Sequence, residues 1–419
     1  MKKDMYKPLL RDIQKARQRI SSVIAHTPLA QNVSLSEQYA ANILLKREDL
    51  QRVRSYKIRG AYNKIASLTK SQLSNGVVCA SAGNHAQGVA FACNALNIRG
   101  TIFMPTPTPS QKVKQVKMFG KNDIEIISAG DTFDDAYAEA VRFCEEHKST
   151  FIHPFNDEKV IEGQATVGLD ILNDAAQPID YLFVPIGGGG LASGVGSVFK
   201  AISPDTKIIG VEPVGAASMK ASLDAGEVVS LTDIDTFADG VAVRRVGELT
   251  FAICREVLDD VVLVPEGKIC STILQLYNES AIVIEPAGGI SISALDFYRD
   301  KIKGKTVACV VSGSNNDITR MEEIKERSLL YEGMKHYFVI RLPQRAGALR
   351  EFLDHVLGPS DDITHFEYKK KHSRDKGPIV IGIELRQKED FEGLIARMKE
   401  CGIVYEYLNE NPDLFQFLL

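Results

Sequence analysis

A chain of 419 residues, 44% hydrophobic and 25% charged, has the composition of an ordinary globular protein, with material for two or three domains. Its net charge of −4 supplies no bulk attraction to nucleic acid or to an anionic membrane, so neither is an expected partner and specificity must lie in sites. The seven cysteines, at 79, 93, 144, 254, 270, 309 and 401, are odd in number and never spaced Cys-x-x-Cys, which fits the reduced thiols of a cytoplasmic enzyme and gives no zinc signature.

Residues 1–20 are heavily charged and lack the apolar core of a signal peptide. Beyond them, short apolar strands alternate with helices. Strands are predicted at 42–46, 77–80, 99–104, 123–127, 181–185, 207–211, 260–264 and 306–311, with helical segments such as 86–96, 132–146 and 162–172 between them. Such alternation predicts βαβ units and parallel sheets covered on both faces, an α/β region reaching to about Met321. Residues 54–151 are expected to form a smaller lobe, with a ligand in the cleft near the strand C-termini. The uncharged window 181–199 is long enough to raise a membrane span, but six of its nineteen residues are glycine, so it reads as strand, loop and helix.

The character changes near residue 330. Strand 337–342, helix 347–357, strands 363–369 and 379–385, helix 391–401 and strand 404–407 follow the ferredoxin-like order. The expected domains are 1–325 and 326–419, with the charged run 322–327 as connector and 369–374 as a solvated hairpin turn.

Four segments carry candidate chemistry. Gly187, Gly188, Gly189, Gly190 and Leu191 lie between an apolar strand and a helix. Bare backbone N–H groups at a helix N-terminus make a phosphate cradle. The same stretch satisfies a dinucleotide fingerprint, with Glu212 where a ribose-binding acid belongs, so an NAD-dependent oxidoreductase is a second reading. Lys57 opens a helical segment between Arg54 and Arg59; neighbouring cations and burial would both lower its pKa, as a Schiff-base amine requires. Ser81, Ala82, Gly83, Asn84 and His85 follow the strand 77–80 and suit a carboxylate, or else form a plain turn with Ser81 as helix cap. Ser312 ends the strand 306–311, where a hydroxyl faces the crevice.

Taken together and in this order, the four resemble the pyridoxal-phosphate enzymes of the tryptophan-synthase-β type, and within them the threonine deaminase family. The resemblance includes His26-Thr27-Pro28-Leu29, Lys46-Arg47-Glu48-Asp49-Leu50 and Glu285-Pro286-Ala287-Gly288. It implies a two-lobed fold-type II catalytic region followed by an ACT-like regulatory domain. It also implies that Lys57 forms a Schiff base with pyridoxal 5′-phosphate, that Gly187 to Leu191 hold the phosphate, that Asn84 bonds the ring 3′-oxygen, that Ser312 faces the pyridine nitrogen, and that Ser81 to His85 grip the substrate carboxylate. The implied reaction takes L-threonine, or L-serine, to a 2-oxo acid and ammonia; other eliminations or replacements on serine-like substrates remain open. Serine racemases of this fold carry a second serine where this chain has Ala82, which disfavours racemisation. Ser218 stands where their metal site has an aspartate, so no divalent metal is expected. Arg345, Gly347, Ala348 and Leu349 join the first strand and helix of the C-terminal segment, where such domains bind an amino acid. Feedback by isoleucine, opposed by valine, and a homotetramer are further implications.

Overall fold

The computed structural model describes residues 6–368 and 376–410. The chain divides into two compact units, Met1–Asp317 and Ile318–Leu419. Among the described residues the strands of the first unit are β1 Leu29–Gln31, β2 Asn42–Arg47, β3 Val77–Ala80, β4 Gly100–Met104, β5 Ile124–Ser128, β6 Thr150–Phe151, β7 Tyr181–Pro185, β8 Lys207–Pro213, β9 Asp260–Val264 and β10 Thr306–Val311. Those of the second are β11 Lys335–Pro343, β12 Asp362–Tyr368, β13 Lys376–Glu384 and β14 Val404–Tyr407.

In the first unit a six-stranded sheet runs β1-β2-β10-β7-β8-β9, parallel except for β1, and a four-stranded parallel sheet runs β5-β4-β3-β6. Every residue of β10 and of β3 is buried, as expected of strands covered on both faces. Strands β1 and β6, of three and two residues, carry no apolar period and escape a sequence reading. The large sheet builds a core around Leu182, Val184, Phe199, Ile208 and Val310, and the small sheet another around Val77, Cys79, Val89, Ile102 and Met104. Burial of this kind, at about 25 cal/mol per Å² of apolar surface, drives the assembly.

Between the sheets the helix Lys57–Ala66 packs against helices Asn84–Leu96 and Glu158–Asp174. Backbones approach closely here: a Cβ on Gly163 would lie 2.6 Å from the Arg59 carbonyl oxygen. The helix Glu158–Asp174 begins earlier than its apolar pattern predicts because the Asp157 carboxylate caps it, accepting from the N–H groups of Lys159 and Val160.

The second unit is a βαββαβ sandwich whose antiparallel sheet runs β12-β13-β11-β14. Helices Ala348–His355 and Asp390–Glu400 close one face over Phe338, Ile340, Ile381, Phe352 and Leu394. The charged run expected to be a connector lies within a helix, Met321–Tyr331, whose Glu326 pairs with Lys335 and accepts from the Tyr337 hydroxyl. The expected hairpin turn at 369–374 lies outside the described residues. Five of the cysteines are buried, Cys144 is half-buried, and Cys401 is exposed just past the helix Asp390–Glu400. Among the described residues no helix is long and apolar enough to cross a membrane.

Candidate active site

Lys57 is the first residue of its helix, and its amine donates to the Pro154 carbonyl at 3.0 Å. Burial pulls this amine down to about 8, with the charge of Glu285 opposing. The side chain keeps a partial opening, yet enough protein surrounds the nitrogen for desolvation to dominate. The flanking arginines contribute nothing, which corrects the expectation of cationic help. Arg59 is fully buried and neutralised: its guanidinium grips both oxygens of Glu48 at 2.8 Å, reaches Asp170 at 2.8 Å and donates to Thr166. Arg54 is exposed to water.

Ser312 follows β10 and is buried; its hydroxyl donates to the Ala287 carbonyl at 2.9 Å. The segment before Lys57 is stitched to it, with the Tyr56 N–H on the Ser312 carbonyl and Ser55 bridged to Gly313. A neutral hydroxyl therefore stands at the sheet's C-terminal edge, close to the lysine segment.

The glycine loop leaves β7 and enters the helix Gly190–Ile202. The first helical bond runs from the Ser193 N–H to the Gly189 carbonyl, so the N–H groups of Gly190, Leu191 and Ala192 precede it and lack intrahelical partners. Gly189 sits at φ +89, in the left-handed region. A Cβ on Gly188 would fall 2.2 Å from the ring of Phe155. We expect Gly189→Ala to cost about 1–2 kcal/mol through its φ and to weaken anion binding at the loop. Thermal unfolding and phosphate-ligand titration read the two effects; unchanged values in both would contradict the cradle.

After β3, Gly83 rather than Ser81 caps the helix Asn84–Leu96, and Ser81 accepts the Gly83 N–H at 3.2 Å. The first helical bond is Gln87 to Gly83, which frees the N–H groups of Asn84, His85 and Ala86. Beside Gly83 nothing lies within 4 Å of a built Cβ, so there is room for a ligand. His85 is buried and bonds the Ile152 carbonyl through Nε2 at 2.9 Å, which places its proton there and leaves Nδ1 as an unpartnered acceptor. Burial, then the charge of Lys57, draws His85 down to about 3, so it is neutral and attracts no carboxylate. The backbone donors remain for that task.

Two functional groups escaped the sequence reading. The loop His153-Pro154-Phe155-Asn156-Asp157 supplies the carbonyl for Lys57 and the ring that covers Gly188, and Nδ1 of His153 accepts from the N–H groups of Phe155 and Asn156. Its polar residues between a strand and a helix were the available signal. Glu285 belonged to a quoted motif but had no assigned role. It is buried, accepts from Asn84 Nδ2 at 2.6 Å and from the Asn315 N–H at 3.1 Å, and is raised to about 7 by burial and then by Asp239.

Glu212, the ribose candidate, turns the other way. Its carboxylate accepts from the N–H groups of Met219 and Lys220, both at 2.8 Å, capping the helix Ser218–Ala225. That removes the dinucleotide reading. Arg345, Gly347, Ala348 and Leu349 lie in the second unit, at the turn from β11 into the helix Ala348–His355.

A lysine amine below its usual range, a main-chain anion cradle and a hydroxyl after the central strand define a class: fold-type II pyridoxal-phosphate enzymes. Residues 20–313 match the family of pyridoxal-phosphate dependent enzymes, and residues 326–418 match the C-terminal regulatory domain of threonine dehydratase. The chain belongs to this family and is pyridoxal-phosphate dependent. It is 59% identical to the biosynthetic L-threonine dehydratase IlvA of Halalkalibacterium halodurans, over 99% of this chain and 100% of that protein. The protein of the same name from Bacillus subtilis is 57% identical over the same shares. The structure of processed threonine deaminase isoform 2 from Solanum lycopersicum superposes with a TM-score of 0.72 at 41% identity, covering 78% of this chain and 92% of that one.

The site fits the cofactor chemically. A glycine loop without side chains would suit a phosphate, a desolvated amine an aldehyde, and the neutral Ser312 hydroxyl a ring nitrogen without adding charge.

Proposed function

We propose that the protein dehydrates and deaminates L-threonine to 2-oxobutanoate and ammonia, the first step toward isoleucine, under feedback control. What supports this reading most is the Lys57 amine, desolvated yet open to the cleft, beside a neutral hydroxyl rather than a carboxylate after β10. When bound, pyridoxal phosphate supplies the electron sink that makes the Cα proton of an amino acid acidic and lets its β-hydroxyl leave.

The chain's own groups do the rest. Gly187 to Leu191 would hold the phosphate through main-chain donors. The free amine of Lys57 would be the base placed to take the Cα proton of the substrate. The N–H groups of Asn84, His85 and Ala86 hold the carboxylate and so orient the bond to be broken, with Ser81 free to donate beside them. The methyl side chain of Ala82 cannot act as an acid, so it returns no proton from the opposite face, and elimination is favoured over racemisation. Incubating the purified protein with cofactor and L-threonine should yield keto acid and ammonia in equal amounts. Interconversion of serine enantiomers alone would refute the assignment.

For the effector, the supporting observation is a cavity of about 380 Å³ lined by Leu342, Arg345, Gly347, Leu349, Tyr368 and Ile379. The Ala348 N–H bonds the Arg345 carbonyl and the first helical bond runs from Glu351 to Gly347, so the N–H groups of Leu349 and Arg350 suit a carboxylate while the apolar lining suits a branched side chain. Isoleucine is the proposed inhibitor and valine its antagonist, with coupling of about 1–3 kcal/mol. Filling the cavity with Leu349→Arg should raise the isoleucine concentration for half-inhibition at least tenfold; an unchanged inhibition curve would move the effector site elsewhere. A cytoplasmic homotetramer completes the proposal.

A further inference from the structure

We infer that Glu285 and Asn315 are positioning residues that fix which way the Asn84 amide faces, and so aim its second N–H at the ring 3′-oxygen; this rests on the cofactor site proposed above. The two ends of an asparagine amide are nearly identical in shape but opposite in hydrogen bonding, so an isolated one can present either. Here the choice is forced in sequence. The Val53 carbonyl can only accept, and Asn315 Nδ2 donates to it at 3.0 Å. That establishes Nδ2 of Asn315, which also donates to Asn84 Oδ1. The opposite end of Asn84 must then be its NH2 group, which donates to Glu285 Oε1 at 2.6 Å.

Glu285 is itself held in place. Its Oε2 accepts the backbone N–H of Asn315, and Gly313 leaves the space that Oε1 fills, since a Cβ there would fall 2.2 Å from it. Asn84 opens its helix at the edge of the cleft, with one donor hydrogen on Glu285 and the other uncommitted. Without these two partners nothing selects between the two amide orientations, one of which presents an oxygen where the donor is needed.

The test uses the pyridoxal-phosphate-loaded protein and two readouts other than turnover: the cofactor dissociation constant, and the pH titration of the long-wavelength absorption band. Asn84→Ala is expected to weaken cofactor binding about tenfold, the loss of one good hydrogen bond, and to shift the titration. Glu285→Ala should do the same. The double variant should lose no more than either single one, since all act through one contact. Asn315→Asp matches the native residue in size but replaces the donor on Val53 and Asn84 by an acceptor; it should reproduce the Asn84→Ala titration even if Glu285→Ala fails to fold. Losses that multiply in the double variant overturn the inference. So does a titration that responds to Asn84→Ala but not to Asn315→Asp. A wild-type protein that takes up no colour overturns the cofactor reading and this inference with it.

Discussion

Replacing Lys57 by alanine should lower the turnover of L-threonine by about 10⁴-fold, the upper end of what a positioned base contributes, while the fold survives. The side chain makes one hydrogen bond, to the Pro154 carbonyl, so its removal leaves little unsatisfied. What disappears is an amine that is neutral far more often than an ordinary lysine. With its pKa drawn from 10.5 to about 8, half of the population is unprotonated at pH 8. The sign follows directly: a cationic amine cannot attack an aldehyde, so the rate at which cofactor-free protein takes up pyridoxal phosphate should climb through about pH 8 and level off above it. The growth of absorbance after mixing gives that rate, and borohydride should then fix the colour on Lys57 of the wild type and on nothing in the variant. Full activity in Lys57→Ala would remove the assignment. A rate still climbing steeply at pH 10 would show that burial does not tune this amine.

The second large effect concerns stability. Arg59→Met should destabilise the first unit by about 3–5 kcal/mol, the usual result of stripping one partner from a buried ion pair. Arg59 and Glu48 are both fully enclosed, and Asp170 is nearly so. Burial alone would raise Glu48; the guanidinium, aided by the hydroxyl of Thr27, reverses this and holds its pKa below the ordinary value. A carboxylate with a lowered folded pKa lends stability above its unfolded pKa and loses it as pH falls through the folded one. The gap between wild type and Arg59→Met should therefore be widest near neutrality and narrow in acid, where Glu48 in the variant can take a proton. Urea unfolding at several pH values measures this, with the midpoint displaced by about 1 M or more at pH 7. Arg59→Lys should recover only part, because an ammonium cannot clasp both oxygens. An unchanged midpoint would show that the pair is dispensable. Since Arg59 is two residues from Lys57 on one helix, a loosened anchor should also misplace the amine.

These effects mark the boundary of what could be read before the fold was known. Strand-like runs such as 77–80 and 306–311 announced parallel sheets because burial on both faces leaves no polar alternation. The glycine loop and Ser312 stood out because each couples an unusual residue with a strand end, and Lys57 because it opens a helix between two arginines. Partnerships across long separations were not. Nothing near Lys57 in sequence points to Pro154, 97 residues away, or links Asn84 to Glu285 at a separation of 201. Arg59 illustrates the hazard: sequence proximity suggested a cation acting on Lys57, whereas folding delivers its charge to Glu48 and Asp170 instead. The ferredoxin-like order of the second unit was visible in its strand and helix periods, while β1 and β6 are simply too short to have one.

The uneven burial of the thiols has a practical consequence. Cys79, Cys254 and Cys309 lie in the interior, where desolvation pushes each thiol up and withholds the reactive thiolate. Cys401 alone is exposed, on the unit that bears the Arg345 turn. A maleimide fluorophore should attach there and spare the buried thiols of the first unit, giving a single-site label that needs no engineered handle.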